Sequence, residues 1–180
     1  MRRIWPAAVG LAVALVAAAA SPARAQGADE GSGPITWEIK KGSAPTAAVK
    51  AGATFTVDIV AHIERGWHLY SLTPIENGPR PTRITIAAGQ GFELGGKIKA
   101  PDPITAFDPN FKVETEFYDE SATFSIPIKV LPDATPGRAA ATLQIRYQTC
   151  NDKECLPPAL VKLPVAVEIG PAGVLRPVPQ

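Results

Sequence analysis

Along much of this 180-residue chain, apolar and polar residues alternate one by one. In "TFTVDIVAHI" the residues Phe55, Val57, Ile59, Ala61 and Ile63 fall on one side, and Thr54, Thr56, Asp58 and His62 on the other. "TFSIPIKV" groups Phe124, Ile126, Ile128 and Val130. "ATLQIRYQ" groups Ala141, Leu143, Ile145 and Tyr147, and "LVKLPVAVEI" groups Val161, Leu163, Val165 and Val167. A period of two is the repeat of a β-strand with one buried face. Shorter stretches read the same way: "ITWEIK" (35–40), "TRITIA" (82–87) and "FKVETEFY" (111–118). No segment after the N-terminal apolar run carries a sustained 3.6-residue stripe, and 19 prolines keep the periodic segments short. The pattern predicts an all-β domain over residues 34–169, an immunoglobulin-like antiparallel β-sandwich of about seven strands. Pro127 and Pro164 fall on outward faces. Edges or bulges are expected there, because proline cannot donate to a ladder.

The N-terminus breaks this pattern. Arg2 and Arg3 precede the apolar run "AAVGLAVALVAAAA" (7–20), and "ARA" (23–25) supplies small residues for cleavage. The run is shorter than the ~20 residues that span a bilayer, so residues 1–25 read as a secretory signal peptide and not as an anchor. The expectation is an exported protein that is not embedded in a membrane. Residues 26–33 ("QGADEGSG") and 170–180 ("GPAGVLRPVPQ") read as a flexible leader and tail. Without Arg2, Arg3 and Arg24 the chain keeps 15 of its 18 basic residues against 17 acidic ones, a net charge of −2 (15 − 17). With no basic run, nothing in the sequence marks a nucleic-acid or anionic-lipid surface.

An oxidising destination permits disulfides, and the chain holds two cysteines, Cys150 and Cys155, in "YQTCNDKECLPP" (147–158). "NDKE" between them matches a hairpin loop, and residues flanking such a turn have Cα atoms about 4.5–5.5 Å apart, within disulfide range. Closing so short a loop stabilises by roughly 2 kcal/mol, against about 4.7 for a 100-residue loop. Three readings stand: a hairpin staple, a redox-active pair, or a metal site. No helix N-terminus is predicted at the pair, and Asp152 and Glu154 oppose Lys153, so the thiols are expected to be weakly activated. That favours a pair that exchanges with a more reactive partner cysteine over an autonomous oxidant. For metal, His62 and His68 are the two histidines and the one Met is the initiator, which excludes a thioether copper site; two Cys and one His leave the fourth ligand unassigned. No nucleophilic triad signature or phosphate loop is present, and no cofactor is expected. Trp67, Tyr70, Phe117 and Tyr147 read equally well as core aromatics.

Three stretches together, "GWHLYS" (66–71), "ETEFYDE" (114–120) and "YQTCNDKECLPP", resemble the N-terminal periplasmic domain of the thiol:disulfide interchange protein DsbD, in order and approximate spacing. The resemblance spans about residues 35–167. It implies an immunoglobulin-like sandwich whose cysteine pair accepts electrons from a membrane thiol reductase and hands them to periplasmic thioredoxin-fold proteins. Disulfide isomerases and the thiol-reducing protein of cytochrome c maturation are the partners it implies. It casts Cys150 as the cysteine of the mixed disulfide and Cys155 as its companion. "EFY" becomes a cap loop, Glu116, Phe117 and Tyr118, in which Phe117 shields the pair, while Tyr70 and His68 lie beside it. The chain departs from the family pattern at His68, where tyrosine is usual, and at Thr115, where an acidic residue is usual. Its intervening loop is also one residue shorter. With Thr115 uncharged, Glu116 is the remaining candidate for proton transfer. Neither the membrane part nor the thioredoxin-like domain of the family is in the sequence, so the expectation is a module acting in trans. The competing expectations are a non-redox protein-binding sandwich with a structural disulfide and, third, a metal-loaded chaperone.

Overall fold

The computed structural model describes residues 33–171, and they are all strand and connection, with no helix among them. The expected signal peptide lies outside the described residues, as do the leader up to residue 32 and the tail from residue 172. In chain order the strands are β1 (Ile35–Ile39), β2 (Val49–Lys50), β3 (Thr54–Ile63), β4 (His68–Tyr70), β5 (Arg83–Ile86) and β6 (Phe92–Leu94). There follow β7 (Ile104–Asp108), β8 (Val113–Tyr118), β9 (Ser121–Val130), β10 (Gly137–Tyr147), β11 (Thr149–Cys150) and β12 (Ala159–Gly170). Alternation located the long strands; the two- and three-residue strands are too short to carry a period and were not anticipated. Nor was β7, whose exposed Ile104 and Phe107 break the alternation.

Two four-stranded sheets, ordered β1-β3-β9-β6 and β2-β12-β10-β5, form an immunoglobulin-like sandwich. Every pairing is antiparallel except β2 with β12. The faces read from the period of two meet in one core: Val57, Ile59, Phe124, Ile126 and Ile128 from one sheet, Ala141, Leu143, Ile145 and Val165 from the other, all 0% exposed. Phe124 is its centre, 5.7 Å from Trp37 and edge-on to Tyr118 at 5.5 Å between ring centroids. The prolines sit where their missing N–H does least harm. Pro127 turns its carbonyl to Gly95, one residue past the end of β6. At Pro164, β12 is an edge, because β2 covers only Ile169 and Gly170.

A third sheet, β11-β4-β8-β7, leaves the sandwich at one end. Its inward face adds Leu69 and Tyr118 to the core; its other face carries Tyr70, Phe117 and Cys150. The expected turn over "NDKE" is present, with Cys150 opposite Cys155, but it does not join the two long strands directly. β10 and β12 are the hairpin partners, in register from Gly137↔Ile169 to Tyr147↔Ala159, and the cysteines lie outside that ladder. Residues 148–158 swing away from it, because Thr149 and Cys150 are taken up by the free edge of β4. Pro157 and Pro158, without N–H groups, cannot continue the β12 ladder back towards them.

Truncating Phe124→Ala is expected to cost about 3–5 kcal/mol of unfolding free energy in urea titrations, since it empties the centre of a closed core. Truncating Phe107→Ala, 65% exposed on β7, leaves the midpoint nearly unmoved.

Candidate functional site

The cysteines are joined, with Cα atoms 4.0 Å apart. They form a non-hydrogen-bonded cross-strand pair: the flanking bonds run from the Asn151 N–H to the Glu154 carbonyl (2.9 Å) and from the Leu156 N–H to the Thr149 carbonyl (3.0 Å). Asn151 closes the intervening turn with its own side chain. Its Oδ1 accepts from the Lys153 and Glu154 amides at 2.8 and 2.9 Å, the local bonding that lets a short polar residue substitute for backbone in a turn. On the other edge Cys150 pairs with His68, and Thr149 Oγ1 donates to the His68 carbonyl at 2.8 Å. The disulfide is thereby fixed to β4 by backbone.

β4 carries the cover. Directly opposite residues of antiparallel strands share a face, so His68, Tyr70, Phe117 and Cys150 line up on one side of the third sheet. His68 stacks flat on Phe117, with ring centroids 4.0 Å apart and planes inclined by 23°. Phe111, from the β7–β8 tip, meets Tyr70 edge-on at 6.0 Å. Tyr70, Phe117 and Cys150 form one apolar cluster with Ala106, Phe111 and Cys155 against it. Cys150 is 1% exposed, whereas Cys155 remains partly exposed at the rim. Of the two joined cysteines, Cys155 is the more exposed residue, and Cys150, the one expected to form the mixed disulfide, is the covered one.

The β7–β8 hairpin folds over the pair and is latched there. Asn110 Nδ2 donates to the Asn151 carbonyl at 2.9 Å, tying the hairpin tip to the disulfide turn. Between them lies a cleft of about 210 Å³ bordered by His68, Phe117, Asp108 and Asn151. Asp108, 5% exposed, is the buried carboxylate of this region. Its Oδ2 accepts a 2.6 Å hydrogen bond from the Tyr70 hydroxyl and its Oδ1 accepts from the Asn110 amide at 2.8 Å. Burial, then the hydrogen bond to Asp108 and its charge, hold the Tyr70 phenol well above its ordinary range. Thr115, on the same face as Phe117, is buried with Oγ1 unpartnered.

Two of the anticipated cap residues do not reach the pair. Glu116 and Tyr118 alternate with Phe117 onto the opposite face of β8. Tyr118 belongs to the main core and donates to the Pro101 carbonyl at 3.3 Å; Glu116 accepts from Ser71 Oγ at 3.0 Å. Glu116 is thus turned away from the thiols. Asp108, Asn110 and Phe111 went unrecognised, because only the pairing of β7 with β8 brings them over the cysteines. His62, as its polar strand position suggests, is at the surface, 3.0 Å from Glu38. Among the described residues no three His, Cys, Asp or Glu side chains are grouped to hold a metal ion, and no helix is long and apolar enough to cross a membrane.

Comparison with known proteins gives a family match. The model of the thiol:disulfide interchange protein DsbD N-terminal family matches residues 22–164. Among solved structures, the DsbD N-terminal domain of Neisseria meningitidis in its reduced form is 17% identical, with TM-score 0.46, covering 66% of this chain and 82% of that one. The N-terminal periplasmic domain of ScsB from Proteus mirabilis is 16% identical, with TM-score 0.41, and covers 78% of this chain but 48% of its own. A family 123 glycoside hydrolase from Clostridium perfringens overlaps at 11% identity and TM-score 0.41, over 76% of this chain and 27% of its own. No curated protein sequence matches the chain.

Phe117→Ala is expected to speed reduction of the disulfide by a small thiol such as dithiothreitol by about tenfold or more. The apolar burial that it removes is worth about 1.5–3 kcal/mol, and each 1.4 kcal/mol of barrier is a factor of about ten. An unchanged rate would show that Phe117 does not guard the sulfurs. Burial above all also raises the phenols of Tyr118 and Tyr147. A group whose pKa is higher folded than unfolded stabilises fully below its unfolded value, about 10 for tyrosine, and loses that contribution as the pH rises further. Folding stability should therefore decline above about pH 10, and Tyr70→Phe should make the decline shallower by up to about 1.4 kcal/mol per pH unit.

Proposed function

The chain belongs to the DsbD N-terminal family of thiol–disulfide interchange modules; from that premise we propose that it works in the periplasm, relaying electron pairs through Cys150 and Cys155. A membrane thiol reductase supplies it, and thioredoxin-fold proteins, including those of cytochrome c maturation, receive from it. The observation that carries this reading is the asymmetry of the pair: a disulfide with one sulfur at the rim, Cys155, and one beneath an aromatic cover, Cys150. A staple needs no such difference, whereas directed exchange does.

The exchange follows from that asymmetry. A thiolate of the reduced partner attacks Sγ of Cys155, and a mixed disulfide forms. The Cys150–Cys155 bond breaks, and its electron pair leaves on Cys150 Sγ, which takes a proton. The partner's second thiolate then attacks the partner's own sulfur in the mixed disulfide and releases Cys155, which is protonated in turn. Two electrons and two protons have entered the domain, and the partner departs as a disulfide. Delivery to an oxidised acceptor is the same sequence in reverse. Apolar surroundings favour the neutral thiol over the thiolate at Cys150, so the reduced pair waits without reacting indiscriminately. Asp108 keeps Tyr70 packed in the cluster over Cys150 by holding its hydroxyl, a task for a carboxylate that neither Thr115 nor the outward Glu116 performs.

Cys150→Ala should accumulate mixed disulfides with thioredoxin-fold proteins through Cys155, visible on non-reducing gels of periplasmic extracts, while Cys155→Ala accumulates few. The equilibrium potential of the wild-type couple should lie above about −300 mV, in the range of exchanging pairs. A lower potential together with no trapped species in either variant would mark a structural disulfide and sink this reading.

A further inference from the structure

The basic residues form no run in the sequence, yet folding gathers several at one end of the outer face of the β2-β12-β10-β5 sheet. Arg83 of β5 stands directly opposite Arg146 of β10. One row along, Lys162 of β12 stands opposite Gln144. Arg80, just before β5, joins them, and the three arginines line a cleft of about 160 Å³ with Tyr147 and Pro158. All four cations are exposed. Like charges directly opposite one another destabilise a sheet, and the ion pairs among the described residues, His62–Glu38 and Lys129–Glu93, include none of these arginines. Arg138, on the same face, is different: its cross-strand neighbour is Glu168.

The cluster adjoins the disulfide. The Arg80 amide donates to the Gln148 side chain at 3.0 Å, and Gln148 leads directly into Thr149 and Cys150. Arg146 is four residues from Cys150, at most about 13 Å of extended chain. A span of that size is longer than the screening length of about 8 Å at physiological salt, so the cations act on partner side chains that lie over them and not on the sulfurs directly. Leu160, 45% exposed, faces Arg146 across the strands and gives the patch an apolar edge, the mixture of apolar and charged contacts found in protein interfaces.

We propose that Arg80, Arg83 and Arg146 form a docking site for acidic side chains placed beside the reactive cysteine of a protein partner. The inference rests on the exchange reading above and names the chemistry of the partner. A protein occupant is favoured because whatever binds here must also bring a sulfur to Cys155. Electrostatic complementarity of this kind raises association rates by about 10 to 10³-fold and is lost as salt rises.

Two synthetic peptides test it, each with one cysteine, flanked by four glutamates in one and by four glutamines in the other. At about 10 mM salt, where charges act over roughly 30 Å, the acidic peptide should form its mixed disulfide with the wild-type protein about tenfold or more faster, at matched thiolate concentration. That advantage should vanish in the triple variant Arg80→Gln/Arg83→Gln/Arg146→Gln and at 1 M salt, while the glutamine peptide reacts equally with both proteins. Arg138→Gln should change nothing. Binding of a fluorescent acidic peptide with serine in place of cysteine, read by anisotropy, follows the docking site apart from any exchange. If neither peptide exchanges but the serine peptide binds wild type at least tenfold more tightly than the triple variant, the exchange reading fails and the site stands. Equal rates and equal anisotropy for wild type and triple variant overturn the site. So does arginine-dependent adsorption to vesicles of 30% phosphatidylglycerol with no preference between the peptides, which would assign the cluster to lipid.

Discussion

The site depends on one short strand being paired along both edges. His68, Leu69 and Tyr70 hold Phe117 and Tyr118 on one side and Thr149 and Cys150 on the other. Three stretches far apart in the chain are brought within a few ångströms by a handful of backbone bonds. Side chains alone could not fix the stack of His68 on Phe117, or hold Cys150 beneath the aromatic cover; the ladder dictates which residues face which. The third sheet is in turn anchored through Leu69 and Tyr118 in the sandwich core, so the precision of the site is inherited from the packing beneath it.

How much of this was legible in the sequence follows from what a period of two encodes. Alternation tells which residues share a face, and it placed the long strands and nearly all of the core residues that they contribute. It does not tell which strand lies next to which. The position of the cysteine turn outside the β10–β12 hairpin, the contribution of β7 and the gathering of the arginines all depend on adjacency, and none could be read from local pattern. Tyr118 and Glu116 are a different case. The alternation that defines β8 already puts them opposite Phe117, and treating "EFY" as one cap loop overlooked it. Asp108 had no local signal, since only the β7–β8 register sets it on the face of Tyr70. The three motifs that resemble the family are brought together on the third sheet. They did not point to Asp108 as the carboxylate that meets Tyr70.

The electrostatic character of the pair is also a consequence of architecture. A thiol at a helix N-terminus is acidified by the dipole, and here no helix exists among the described residues. The pair sits between strands under aromatic rings, with Asp108 engaged by Tyr70. Such surroundings lack the dipole that would acidify a thiol. Selectivity then rests on who can approach the rim, a matter of shape and surface charge more than of intrinsic reactivity.

Phe117 and Tyr118 are neighbours in sequence with separate duties, one turned towards the sulfurs and one towards Phe124. They share a backbone and almost no surroundings. The third sheet therefore separates two kinds of design freedom: a combinatorial library over His68, Tyr70, Phe111 and Phe117 would explore new exchange specificities on one face while the scaffold persists on the other.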